Sequence, residues 1–334
     1  MIKVSAPGKV HLLGEHVVVY GKPAILATIN LRVTVTLKPL ASVIARNAVT
    51  KQSRSEQIPT KIASLNARND NAEEIQKVIE PIIKRHLKIK TIPPYQLNIS
   101  SQIPIGAGLG SSAAVSAAYI AALLSFLKVK WDLNLINTLA YEAEKVFHGN
   151  PSGGDNSTVC FGGLVWFRKE TPNLRIIQPL QFTIPSRMAR NFILINTGTP
   201  TESTKDMVEA VKKLYDNQPK LVGKFLEDQE TLVRQLLPVI KESKEGELIR
   251  IISDGEKNLE SIGVVSHSAK SIIRKIEKVG GAAKICGAGG KTKATGILLA
   301  YHPKKLVVEK IAKDENLPYF STTLGVEGVK MEKA

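Results

Sequence analysis

The sequence predicts an α+β protein of two lobes. Residues 2–38 read as strands around glycine turns, with apolar and polar positions alternating at 31–38, residues 202–279 carry successive helical patterns, and residues 283–324 read as strand, glycine-rich loop, strand, helix, strand. The 334 residues are 43% hydrophobic and 23% charged, which is globular composition and excludes a disordered chain. At roughly 150 residues per domain, the length fits two lobes that bury most of their apolar surface.

Residues 2–5 and 10–13 read as strands around a Pro7-Gly8-Lys9 turn, and 24–29 as another after Gly21-Lys22-Pro23. Leu31, Val33, Val35 and Leu37 alternate with Arg32, Thr34, Thr36 and Lys38, the period of a half-buried strand. From 41 to 71 the chain turns polar and unpatterned, which predicts a surface excursion. Ile75, Val78, Ile79, Ile82, Ile83 and Leu87 then recur at helical spacing, with Pro81 expected to start or kink that helix. Tyr95, Leu97 and Ile99 mark a strand, and 111–127 a helix. A second helix, capped by Asp132, runs along Leu133, Ile136, Leu139, Ala140, Ala143, Val146 and Phe147 and breaks at 149–154.

Strands over 164–167 and 191–196 flank a proline-containing stretch, 170–187, and the lobe boundary is placed near 185, giving lobes 1–185 and 186–334. Helices follow at about 202–216, 221–237, 245–261 and 266–279. The C-terminal pattern places strands at 283–286, 295–300 and 318–324 and a helix at 303–313, an order that suits an α+β lobe.

The net charge is +16, from 46 Lys and Arg against 30 Asp and Glu, so the chain attracts polyanions. Aromatic residues make up only 5% and offer no stacking platform for single strands, so no nucleic-acid partner is expected. Two cysteines, Cys160 and Cys286, give no disulfide framework and favour a reducing compartment, so a cytoplasmic protein is expected. The longest run of small apolar residues, 113–127, is shorter than the roughly 20 residues that span a bilayer, so no membrane partner is expected.

Four segments carry chemistry. The first is Pro104-Ile105-Gly106-Ala107-Gly108-Leu109-Gly110-Ser111-Ser112-Ala113-Ala114, between a strand and a helix. Its glycines let backbone amides approach an anion, the helix N-terminus adds a positive dipole end, and a hydroxyl follows where a phosphate-bound metal can sit. It lacks the Gly-Lys-Ser/Thr of a P-loop and the acidic residue that closes a dinucleotide fold. A tight glycine turn before a core helix is the plainer alternative.

The second segment spans Glu142 to Asn156. Glu144 falls beside the buried stripe of its helix, where a carboxylate needs a partner such as a metal, and Asp155 is expected past the break, in a loop. Two carboxylates separated by a sharp turn suit one metal-binding and one proton-handling role. Taken singly, an ion pair for Glu144, a cap for Asp155 and helix-end capping for His148 account for them as simply. The third is Pro7-Gly8-Lys9-Val10-His11-Leu12-Leu13-Gly14-Glu15-His16, where a lysine beside a glycine turn suits a phosphate or a developing alkoxide; a solvated lysine and a surface ion pair is the alternative. The fourth is Lys284-Ile285-Cys286-Gly287-Ala288-Gly289-Gly290-Lys291-Thr292-Lys293, a glycine-rich loop between strands that also reads as a flexible hairpin.

In type and order these segments resemble the three motifs of the small-molecule kinase family that includes galactokinase, homoserine kinase, mevalonate kinase and phosphomevalonate kinase. Pro7 to His16 is similar to the first motif, Pro104 to Ala114 to the phosphate loop, and Lys284 to Gly290 to the third, so the likeness covers both lobes. Gly14-Glu15-His16-Val17-Val18-Val19-Tyr20-Gly21-Lys22-Pro23 and His148-Gly149-Asn150-Pro151-Ser152-Gly153-Gly154-Asp155-Asn156 resemble the mevalonate-phosphorylating branch. Galactokinases carry Asp-Tyr where this chain has Val17-Val18. The third motif here continues with Lys291-Thr292-Lys293, where relatives often carry more glycines.

The resemblance implies a ribosomal-protein-like N-terminal lobe with a left-handed βαβ crossover, a ferredoxin-like C-terminal lobe and an active site in the cleft between them. It implies ATP- and Mg²⁺-dependent phosphorylation of the primary hydroxyl of mevalonate. By the same likeness, Pro104, Gly106, Ala107, Gly108, Leu109, Gly110, Ser111 and Ser112, with Gly287, Ala288 and Gly289, hold ATP, and Ser112 and Glu144 hold Mg²⁺. Asp155 orients or deprotonates the hydroxyl, Lys9 neutralises developing charge, and Glu15 and His16 meet the substrate, where His16 would donate to its carboxylate or hydroxyl. The expected assembly is a homodimer. A non-catalytic metabolite sensor of this family remains an alternative, although such a protein is expected to lose Lys9 or Asp155.

Overall fold

In the computed structural model, residues 1–40, 70–104, 107–149, 151–171 and 174–333 are described; the excursion expected over 41–71 falls almost wholly outside them, as do Ile105 and Gly106. The chain opens with two long strands, β1 (Ile2–Leu13) and β2 (Ala24–Pro39), joined through one turn of 3-10 helix at Val17–Tyr20. The turn expected at Pro7-Gly8-Lys9 is instead a register shift inside β1. Pro7 pairs with Arg32 and Gly8 with Ile29, so Asn30 and Leu31 are looped out of β2 while antiparallel pairing continues on both sides. The two strands expected in 24–38 are likewise one.

Helix α1 (Asp70–Leu87) runs through Pro81, which lies on its exposed face, and leads to β3 (Tyr95–Ser101). Helix α2 (Ser111–Phe126) is built largely of Ala and Ser and is buried on nearly every side, because small side chains let neighbouring elements close around it. Helix α3 (Leu133–His148) starts at Asp132, whose carboxylate accepts from the amides of Asn134 and Leu135, as expected. Helix α4 (Gly154–Phe161), β4 (Leu164–Lys169) and β5 (Arg175–Pro179) follow. Strand β5 lies in the proline-containing stretch to which the sequence assigns no element: as an edge strand, it needs ladder bonds on one side only, and its proline closes it.

A single turn, α5 (Ser186–Ala189), precedes β6 (Phe192–Asn196) and the helices α6 (Thr204–Asn217), α7 (Pro219–Lys241), α8 (Glu245–Ser261) and α9 (His267–Lys278). The chain ends with β7 (Ala282–Ile285), β8 (Ile297–Tyr301), α10 (Leu306–Asp314), β9 (Tyr319–Thr322) and β10 (Lys330–Met331). Among the described residues there are two antiparallel sheets. One has six strands in the order β10-β1-β2-β4-β5 with β3 also on β2; the other has four in the order β7-β8-β6-β9. The C-terminal β10, too short to read from sequence, thus returns to the first sheet, where Val4 pairs with Met331.

The first sheet packs its apolar face on α2, with Val10, Leu12, Val33, Val35, Ala117 and Ile120 buried together; the second packs Ile193, Ile195 and Leu298 on α9 through Ile273 and Ile276. Helix α8 bridges the two, since Gly255 lets Leu13 of β1 approach so closely that an added Cβ would lie 2.7 Å from Leu13 Cδ1. No helix among the described residues is long and apolar enough to cross a membrane.

Candidate active site

The first sheet delivers Lys9 to the loop before α2. The Lys9 amide donates to the carbonyl of Leu109 at 2.9 Å, and that oxygen lies 3.0 Å from where a Cβ on Gly8 would stand, so strand and loop meet at backbone distance. The Lys9 side chain then crosses Gly110. A Cβ there would fall 2.8 Å from Lys9 Cγ, and Gly110 also sits at φ +70°, so glycine satisfies both demands. The ammonium ends 3.0 Å from Asp155 Oδ1; the lysine side chain is 5% exposed and the aspartate 39%, so the carboxylate is the end open to a ligand.

Gly110 caps α2 without a side chain, so the amides of its first turn have no side-chain acceptor. A buried helix of sixteen residues presents its positive dipole end there, an anion site of the kind expected for phosphate. Ser112, in that turn, donates from Oγ to Glu144 Oε1 at 2.7 Å and accepts from His148 Nε2 at 3.0 Å. Glu144 is only 4% exposed. Burial pushes its carboxyl above the ordinary range and the Asp155 charge adds to this, while the Ser112 hydrogen bond, His148 and Lys9 oppose it. A buried carboxylate and a hydroxyl side by side are hard oxygen donors, a set that fits Mg²⁺ supplemented by phosphate and water oxygens.

Asp155 lies not in a loop, as expected, but in the first turn of α4. Gly153, at φ +89°, reverses the chain after α3, and Gly154 starts a new helix packed so tightly on Leu26 that a Cβ would meet its Cδ1 at 3.0 Å. The hydroxyls of Ser157 and Thr158 donate back to the carbonyls of Gly153 and Gly154 at 2.7 and 2.8 Å and fasten that turn. Asp155 is therefore held by regular structure.

Glu15 and His16 sit where β1 meets the fourth segment. His16 has φ +63°, rare for a side-chain-bearing residue, and its Nε2 donates to the Ala288 carbonyl at 2.9 Å. Burial lowers the His16 pKa, partly offset by that bond, so the ring is neutral and its Nδ1, buried and unpartnered, is an acceptor. With its Nε2 proton directed to Ala288, the ring leaves Nδ1 without a protein partner. Glu15, 1% exposed, pairs with Lys284, and its second oxygen has no partner. Gly108 faces the Cys286 carbonyl, so the loops carrying Gly108 to Ser112 and Gly287 to Gly289 adjoin. Lys291 and Lys293 are exposed.

Sequence reasoning gave no role to Lys284 or Glu256. Lys284 is fully buried on β7, and Glu256 of α8 accepts from the Ile285 amide at 3.0 Å while burial lifts its carboxyl to about 8. Both look solvent-facing in their local patterns; only tertiary packing encloses them.

Residues 73–163 match the family model of the GHMP kinases N terminal domain. A mevalonate kinase of Archaeoglobus fulgidus is 31% identical over 90% of this chain and 93% of its own length, and that of Mus musculus is 29% identical over 99% and 95%. The structure superposes on an L. major mevalonate kinase solved with R-mevalonate with a TM-score of 0.76, at 22% identity, covering 98% of this chain and 96% of that one. With relatives this similar along nearly its whole length, the chain belongs to the GHMP kinase family, in its mevalonate kinase branch.

Proposed function

We propose that this protein transfers the γ-phosphoryl group of ATP to the primary (C5) hydroxyl of mevalonate, giving 5-phosphomevalonate. The observation that carries this reading is the Lys9–Asp155 pair, 3.0 Å apart, standing beside the Ser112–Glu144 pair at the open N-terminus of α2. Phosphoryl transfer asks the protein for positioning and charge stabilisation, and each group here supplies one of these.

Asp155 accepts the proton of the attacking hydroxyl or orients it, and the neighbouring ammonium offsets charge on the transferring group. Amides from Gly106 to Ser112, with Pro104 and Ala107 shaping the loop, cradle the phosphates, and Gly287, Ala288 and Gly289 border the nucleotide. Ser112 and Glu144 are the residues that would hold Mg²⁺, which when bound neutralises phosphate charge. Glu15 and His16 line the mevalonate side, with His16 Nδ1 as an acceptor for one of its hydroxyls. The net charge of +16 suits two anionic reactants.

The reading includes lobes 1–185 and 186–334 with the site between them, the first ribosomal-protein-like with a left-handed crossover and the second ferredoxin-like; the presence of two separate sheets supports the division, although β10 returns to the first. Two free, buried cysteines suit a cytoplasmic enzyme. ADP release by the purified protein with Mg-ATP and mevalonate, phosphomevalonate, homoserine or galactose tests the assignment. Turnover with mevalonate alone is expected; turnover with another of the four keeps the phosphate chemistry and overturns the substrate, and silence with all four overturns the reaction.

A further inference from the structure

We infer that Lys284 is a positioning residue for the mevalonate-side corner, clasping Glu15 and the His11 carbonyl to the end of β7 so that Glu15 and His16 are held in place. An ammonium has three hydrogens to donate. Those of Lys284 go to the Ile285 carbonyl at 2.7 Å, the His11 carbonyl at 3.3 Å and the Glu15 carboxylate, and its side chain is 0% exposed. No hydrogen is left for a ligand, so Lys284 acts through the residues it holds.

What it holds is a corner that local preference does not form. His16 stands at φ +63°, a conformation that persists only where its surroundings over-determine it. Two links do so here, both reaching the 284–288 segment: Lys284 to Glu15, and His16 Nε2 to the Ala288 carbonyl. The corner leaves two buried polar atoms without partners, Glu15 Oε2 and His16 Nδ1, and these are what it offers to a hydroxy acid. Stability alone does not account for the clasp, because a buried ion pair is about neutral against an uncharged pair of similar volume. Its effect is geometric, tying the first motif to the glycine-rich loop on the nucleotide side.

The kinetic arm of the test rests on the reading of the protein as a mevalonate kinase; the exchange arm does not. Lys284→Met leaves the Glu15 charge buried and uncompensated, so it is expected to lower Tm, and Lys284→Met/Glu15→Gln, which removes both charges, is expected to recover most of that loss. If Lys284 positions the corner, Lys284→Met, which leaves Glu15 in place, raises KM for mevalonate about tenfold or more with KM for Mg-ATP within about threefold of wild type, and the double variant does not restore it. Amide hydrogen exchange over residues 14–17 is expected to quicken in the double variant while the rest of the chain is unchanged. Recovery of wild-type KM along with Tm, or a KM change in Glu15→Gln with none in Lys284→Met, overturns the proposal. If the wild type does not turn over mevalonate, the kinase reading fails separately, and exchange decides: faster at 14–17 upholds the clasp, and unchanged overturns it.

Discussion

Lys9 and Asp155 meet at 3.0 Å from opposite surroundings, the ammonium almost wholly buried and the carboxylate open to solvent along one edge. The lysine fixes one carboxylate oxygen while the exposed part of the side chain stays reachable by a substrate hydroxyl. Asp155→Asn keeps the shape and removes the proposed base. It is expected to lower kcat by about 10²- to 10⁴-fold with Mg-ATP binding nearly intact. Steady-state kinetics together with nucleotide titration checks this, and a near wild-type kcat removes Asp155 from the chemistry.

Ser112 and Glu144 share a hydrogen bond of 2.7 Å beneath the α2 N-terminus. Ser112→Ala and Glu144→Gln each take away one of the oxygens proposed to hold the cation while leaving the Lys9–Asp155 pair in place. Both are expected to raise KM for Mg-ATP by about tenfold or more and to shift the Mg²⁺ dependence of the rate to higher concentration. A change confined to KM for mevalonate would place the cation elsewhere.

Helices α6 to α9 were legible because an amphipathic stripe repeats over several turns, and Asp132 announced α3 because a cap is a local device. Proline and glycine misled at 7–8: they usually mark a turn, yet two residues looped out of the partner strand absorb the irregularity and β1 continues. Helix α4, eight residues behind two glycines, is too short to show a period. Lys9, Ser112, Glu144 and Asp155 could be named from their segments, and the structure brings them together. Lys284 and Glu256 could not be singled out, because a charged residue in Ala282–Ile285 or on α8 looks exposed until another part of the chain covers it.

Gly110 links the backbone of the phosphate loop to the path of Lys9. Gly110→Ala meets two costs: a left-handed φ of +70°, worth about 1 kcal/mol, and a Cβ 2.8 Å from Lys9 Cγ that displaces the ammonium. Gly263→Ala is the control, because Gly263 has a similar φ of +73° and nothing within 4 Å of an added Cβ. Both are expected to lose Tm, Gly110→Ala the more of the two, with a large fall in kcat only for Gly110→Ala. Equal kcat values would show that the loop tolerates a displaced lysine.

Glu256 sets a pH dependence of stability whose sign follows from its burial. In the folded protein its carboxyl is raised from 4.5 to about 8, chiefly by burial, with the Ile285 amide and Lys284 opposing and Glu260 and Glu15 adding. Between these two values the folded state holds a proton that the unfolded state has released. Stability from this group is therefore full below pH 4.5 and is lost as pH rises toward 8. From pH 6 to pH 8 that loss is on the order of 3 kcal/mol. Glu256→Gln keeps an oxygen to accept from the Ile285 amide and carries no titrating proton. Its Tm is expected to match wild type near pH 5 and to exceed it by several degrees at pH 8.5, read by thermal unfolding across that range. Parallel curves for the two proteins would mean that Glu256 is already ionised in the fold, with Lys284 supplying more compensation than its place beside Glu15 indicates.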